Sequence, residues 1–121
     1  MRQRSWTSVK VEFLDRDKTV RELRQAAKRL RRSDRRVQQV VLFGSLARGD
    51  YVPGSDADVL VILDADSRPF MDRIPEFCQY FLDMPIDVGV FPYTRDEMAK
   101  GQADPGSFIH SVMAGPIEVL S

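Results

Sequence analysis

Seven consecutive residues, Ala57-Asp58-Val59-Leu60-Val61-Ile62-Leu63, are apolar at every position but one. A half-exposed strand alternates apolar with polar residues, whereas a strand that is apolar throughout must be covered on both faces. This segment therefore demands a central strand with layers on each side. A second short apolar run, Gln39-Val40-Val41-Leu42-Phe43, is stopped by Gly44 and reads as another buried strand. Pro85-Ile86-Asp87-Val88-Gly89-Val90-Phe91-Pro92 reads as a third, bracketed by prolines. Between the strands the period changes. Val20, Leu23, Ala27 and Leu30 recur at steps of three and four, lining one face of a helix with Asp17 as its expected N-cap and Ser33-Asp34 as its stop. Residues 68–82 predict a second helix carrying Phe70, Ile74, Phe77 and Phe81 on one side, with Cys78 among them as a small core hydrophobe. Two short helices, within 94–101 and 105–114, precede a closing strand over 117–120. Strands separated by helices give an α/β or α+β domain.

Composition narrows the class further. The longest uninterrupted apolar stretch, Val59 to Leu63, is far short of the roughly 20 residues of a membrane-spanning helix. The single Cys78 cannot close an internal disulfide, and the start of the chain lacks the apolar stretch of a secretory signal. The expectation is a cytoplasmic domain over residues 17–121, preceded by an extension, 1–16, in which Val9, Val11 and Phe13 have the alternation of a short edge strand. Net charge is zero, but residues 1–40 carry +8 and residues 41–121 carry −8. Arg21, Arg24, Lys28, Arg29, Arg31 and Arg32 are expected to form the solvated face of the first helix. A nucleic-acid binder working through this stretch ranks below the other readings, because no aromatic residues interleave with the cations. His110 has no second His or Cys near it in sequence, which argues against zinc.

The chemistry concentrates in Leu42-Phe43-Gly44-Ser45-Leu46-Ala47-Arg48-Gly49 and Gly54-Ser55-Asp56-Ala57-Asp58. Gly44 ends a strand, and Ser45 can open a short helix whose first N–H groups lack partners, a place where an anion is welcome. Arg48 can add charge to such a site. Asp56 and Asp58, two apart on a strand, project to one face. Two carboxylates roughly 5 Å apart repel by about 3 kcal/mol at an effective dielectric near 20, so something must neutralise them. Mg²⁺ takes one or two carboxylates together with substrate phosphates. If the second and third strands are neighbours, Asp87 brings a third carboxylate, and such a set beside a phosphate-binding turn suits two-metal phosphoryl chemistry.

Gly44-Ser45, Ala47-Arg48-Gly49, Ser55-Asp56-Ala57-Asp58 and the later Asp87 together resemble the signature of the minimal nucleotidyltransferase family, within the DNA polymerase beta-like nucleotidyltransferase superfamily. The match is specific between residues 40 and 63, and order and spacing extend it to about residue 120. The resemblance implies an α+β fold with a small mixed β-sheet flanked by helices. It implies Mg²⁺ ions, two of them, at Asp56, Asp58 and Asp87, and the phosphates of a nucleoside triphosphate, ATP in the first instance, at Gly44, Ser45, Arg48 and Ser55. It also implies that Asp87 helps deprotonate the attacking hydroxyl. Ala57 stands where the family often has a larger aliphatic residue, a difference of packing.

Relatives of this size resemble the antitoxin half of toxin–antitoxin pairs, acting beside an all-helical HEPN-type nuclease that some of them silence by transferring AMP to a tyrosine. Residues 1–121 leave little room for an acceptor-holding domain, so the acceptor is expected on a partner or on a second copy of the chain. The rival expectation is a non-catalytic module of the same fold that neutralises its partner by covering it. Three intact acidic residues favour the enzyme, since pure binding needs no such clustered charge.

Overall fold

The computed structural model describes residues 15–50 and 56–121. The expected N-terminal edge strand, Trp6 and Ser55 lie outside the described residues. Helix α1 (Arg16–Ser33) is followed by β1 (Val37–Phe43), a single-turn helix α2 (Ser45–Arg48), β2 (Ala57–Leu63), α3 (Phe70–Cys78) and a 3₁₀ turn (Gln79–Phe81). The chain continues through β3 (Val88–Thr94), α4 (Arg95–Gln102) and α5 (Phe108–Ala114) to β4 (Glu118–Val119). The strands form one mixed sheet in the order β3-β2-β1-β4. β1 runs antiparallel to β2 and β4, and β2 runs parallel to β3. This is the α+β fold with a small mixed sheet.

Both faces of β2 are covered, as its apolar run requires. On one face Ala57, Val59, Val61 and Leu63 join Val40 and Leu42 of β1 under Val20, Leu23, Ala26, Ala27 and Leu30 of α1, with Phe77 and Phe81 completing the layer. On the other face Val41, Phe43 and Leu60 pack against Met98 of α4 and Ile109 and Val112 of α5. Among the described residues no helix is long and apolar enough to cross a membrane.

The first helix begins two residues earlier than its sequence suggests. Its N-cap is Asp15, whose side chain accepts from the Lys18 N–H at 3.1 Å, and Asp17 sits inside the first turn, where its charge favours the helix N-terminus. The second helix is shorter than 68–82, because the chain tightens into the 3₁₀ turn after Cys78. Its most buried polar group is Arg73, only 3% exposed, a residue that periodicity alone would send to solvent. The guanidinium donates to both Glu97 carboxylate oxygens at 2.7 and 2.9 Å and to the carbonyls of Arg68, Pro92 and Asp66. Burial is tolerated because every side of the fork has a partner. The basic face of α1 is exposed at Arg21, Lys28, Arg29, Arg31 and Arg32, while Arg24 reaches Glu118 and the Val119 carbonyl. Arg16 also meets Glu118, at 2.8 Å, so the first helix is tied to the closing strand.

Candidate active site

The end of β1 and the starts of β2 and β3 meet at one end of the sheet, and the acidic residues collect there. Register places Asp58 opposite Phe43 on one side and Gly89 on the other. Ala57 pairs with Val88, and the Ala57 N–H donates to the Asp87 carbonyl at 2.9 Å, which sets Asp87 alongside Asp56. Asp56 and Asp87 each lie one residue before their strands, not within them as the sequence suggests, and both are exposed. Regular pairing starts only at Ala57 and Val88, after the chain has left the water-facing end of the sheet.

Asp58 sits between two glycines. A Cβ on Gly44 would lie 2.5 Å from Asp58 Oδ2, and one on Gly89 would lie 3.4 Å from Asp58 Oδ1. Gly44 has in addition φ +79°, a conformation that L side chains rarely adopt. Any other residue at Gly44 would both strain the backbone and displace the carboxylate. Burial pushes the Asp58 carboxyl above its ordinary value, the neighbouring Asp56 carboxylate pushes it in the same direction, and Arg48 pulls it partly back.

Ser45 opens α2 directly after Gly44, and Gly49, at φ +87°, closes it by donating to the Ser45 carbonyl at 2.9 Å. The short helix is pinned by the fully buried Leu46, whose carbonyl accepts from Arg16 Nε at 2.9 Å. Arg48 is exposed at the last helical position, and its Nε meets the Asp50 carboxylate at 3.1 Å.

The structure thus brings Gly44, Ser45, Arg48, Asp56, Asp58 and Asp87 to one end of the sheet. Among the described residues no three His, Cys, Asp or Glu side chains are drawn closely enough together to hold a metal ion as they stand. The donor set nevertheless suits a hard divalent cation. It offers only carboxylate oxygens, and Asp58 is held in a site where burial and Asp56 both work against its charge. Gly89 is a site residue that sequence reasoning passed over. Its one signal was a glycine inside an otherwise apolar strand, which marks a close approach.

Comparison with known proteins decides the family. Residues 20–107 match the sequence profile of the nucleotidyltransferase domain. The chain belongs to the nucleotidyltransferase family. A protein of Methanocaldococcus jannaschii named "putative protein adenylyltransferase" is 35% identical over 69 residues, a match covering 57% of this chain and 63% of that relative. The chain thus spans less than two thirds of that relative's length. A crystal structure described as a "putative nucleotidyltransferase" from Sulfolobus solfataricus superposes with a TM-score of 0.61 at 20% identity, over 74% of this chain and 79% of the other. At that identity the likeness is one of fold, and it confirms the nucleotidyltransferase architecture.

Proposed function

We propose that this nucleotidyltransferase transfers a nucleoside monophosphate, AMP in the first instance, from a nucleoside triphosphate to a hydroxyl on a partner protein. The observation that carries the reading is the Asp58 carboxylate, set between Gly44 and Gly89 and beside Asp56 at the end of β1. Asp56 and Asp58, with Asp87, would hold Mg²⁺, which when bound supplies charge neutralisation for the reacting phosphate. Gly44 and Ser45 would receive the phosphates, helped by Arg48 once it turns from Asp50, and by Ser55.

In the reaction the acceptor oxygen bonds to the α-phosphorus, the bond from that phosphorus to the β-phosphate bridging oxygen breaks, and pyrophosphate leaves. Asp87 takes the hydroxyl proton, and its exposure at the start of β3 suits a group that must meet an incoming acceptor. The partner we propose is a small helical nuclease of the HEPN type, with this chain as its antitoxin. The name of the Methanocaldococcus jannaschii relative supports a protein acceptor.

The test is to incubate the chain with the product of its neighbouring gene, Mg²⁺ and labelled ATP, and to measure the intact mass of each protein. An AMP adduct on the partner, absent with Asp56→Asn, is expected. Inhibition of the partner without any mass change, achieved equally by Asp56→Asn, would overturn transfer in favour of a covering module.

A further inference from the structure

The sheet face that carries the carboxylates continues into a group of aromatic rings that the transfer chemistry does not use. Along β3, Gly89, Phe91 and Tyr93 follow one another on that face, since alternate residues of a strand share a side, and Asp87 lies just before the strand. On β1, Phe43 stands directly opposite Asp58. Phe108, the first residue of α5, lies over these rings, with centroids 5.6 Å from Phe91, 6.0 Å from Phe43 and 6.4 Å from Tyr93. Phe70 backs Tyr93 at 4.7 Å.

Phe108 is nevertheless 46% exposed. Ile109 and Val112 already supply the buried contacts of α5, so packing the helix does not account for an aromatic ring held by three others with nearly half its surface in water. Among the described residues, Gly89 is what lies between this group and Asp58 at the acidic end of the sheet. A Cβ on Gly89 would lie 3.4 Å from Asp58 Oδ1 and 3.4 Å from Phe91 Cε1, so carboxylate and ring approach one another across a residue with no side chain.

We propose that Phe108, braced by Phe91, Tyr93 and Phe43, is the platform on which the base of the nucleoside triphosphate stacks. The inference rests on the nucleotide-transfer reading and adds the site for the base. A triphosphate held through a divalent cation at the acidic end of the sheet can carry its base toward the neighbouring surface, and that surface is aromatic. A planar π-system suits any base, and a ring already fixed by its neighbours loses little freedom when the base arrives. Stacking of one base on an aromatic side chain typically strengthens binding by roughly 5- to 150-fold.

The experiment compares ATP with inorganic tripolyphosphate, each with Mg²⁺, by isothermal titration on the whole chain. Wild type is expected to bind ATP at least about 5-fold more tightly than tripolyphosphate. Phe108→Ala should remove most of that advantage and leave tripolyphosphate unchanged, while Phe108→Trp should keep it. Phe108→Leu retains apolar bulk but no ring face, so a loss of ATP affinity at unchanged melting temperature separates stacking from packing. Equal affinity of wild type for the two ligands would overturn the platform and leave the phosphate site standing. Binding of neither would overturn both readings. Unchanged ATP affinity with slower transfer would assign Phe108 to the acceptor and also overturn the platform.

Discussion

At the end of the sheet where β1 finishes, Asp56, Asp58 and Asp87 gather, and the cation acting on Asp58, Arg48, is itself engaged with Asp50. At the opposite end, where β1 begins and β2 and β3 finish, Arg36 bridges Asp34, Asp66 and Glu76, Arg68 bridges Asp66 and Glu76, and Arg73 grips Glu97. The carboxyls respond in opposite directions. Arg36 holds Asp34 below its ordinary value, Arg68 holds Asp66 far below it, and Arg73 holds Glu97 below it, whereas burial holds Asp58 above. One end closes its own charge and fastens β1, the loop after β2, α3 and α4 to one another. The other end keeps carboxylates with no such partner among the described residues, and under the proposed function a divalent cation would neutralise them and let the triphosphate approach. The asymmetry sets a frame of paired charges beside an end of the sheet where burial and a like charge both work against Asp58.

The sharpest way to break the comparison is Asp58→Asn. If the acidic end works by relieving its charge on ligand binding, the variant should lose transfer activity by about 10³-fold or more, the scale of removing a preorganised electrostatic contribution. Mg²⁺ with ATP should raise the melting temperature of the wild type, and the rise should vanish in Asp56→Asn, Asp58→Asn, since it reports binding to the folded state alone. Equal thermal stabilisation of the double variant would show that these carboxylates hold no metal.

The paired end is probed by Arg73→Lys. An ammonium cannot reproduce the two-pronged contact with Glu97 together with the carbonyls of Arg68, Pro92 and Asp66. Breaking a buried ion pair costs roughly 3–5 kcal/mol, and urea unfolding at neutral pH should show a loss toward the lower part of that range. The rate per folded molecule should change far less than with Asp58→Asn. A large loss of activity at unchanged stability would mean that the two ends are coupled.

The two ends also differed in how far they could be read from sequence. Gly44-Ser45 and Asp56-Ala57-Asp58 are local signals, because a strand end and a two-residue spacing fix both orientation and proximity. Asp87 needed one tertiary fact, the adjacency of β2 and β3, which the register supplies. The apolar face of α1 was legible from its period, and the covering of β2 on both faces from the lack of alternation in its apolar run. Arg73 was not legible, because what permits its burial is Glu97, twenty-four residues away and already occupied in a capping box with Thr94. Gly89 was missed because its significance lies in the side chain of the neighbouring strand. The aromatic group around Phe108 joins β1, β3, α3 and α5, and no sequence window contains it.

Asp87→Asn sharpens the division of labour within the acidic end. Asp87 is exposed and enters from a different strand from Asp56 and Asp58, so its loss should bear on the proton and less on the nucleotide. Transfer should slow by roughly 10²-fold, as for loss of a general base, with ATP affinity in titration changed only a few-fold. Full activity would leave Asp87 no part in the chemistry, and a loss of ATP affinity as large as that of Asp58→Asn would make it chiefly a ligand of the metal.

The smallest effect concerns stability and pH. The Asp58 carboxyl is raised above its ordinary 3.8, so the folded chain binds that proton more tightly than the unfolded chain does. Stability from this group is present below 3.8 and is lost as pH rises through the folded value. Asp34, Asp66 and Glu97 are lowered, so their stabilisation is complete above the ordinary carboxylate range and is lost as pH falls through their folded values. At pH 7 Asp58→Asn should therefore unfold later than wild type, by about 0.5–2 kcal/mol, as when an unfavourable functional site is relieved. Its advantage should shrink as pH falls through the folded value of Asp58, where the carboxyl takes up a proton and the two chains become alike. The deficit of Arg73→Lys should also shrink in acid, as Glu97 is protonated, so the two variants approach wild type from opposite sides. Urea unfolding of the three chains between pH 3.5 and 8 measures this, and an Asp58→Asn difference that does not vary with pH would show that the cost at the acidic end is one of packing and not of charge.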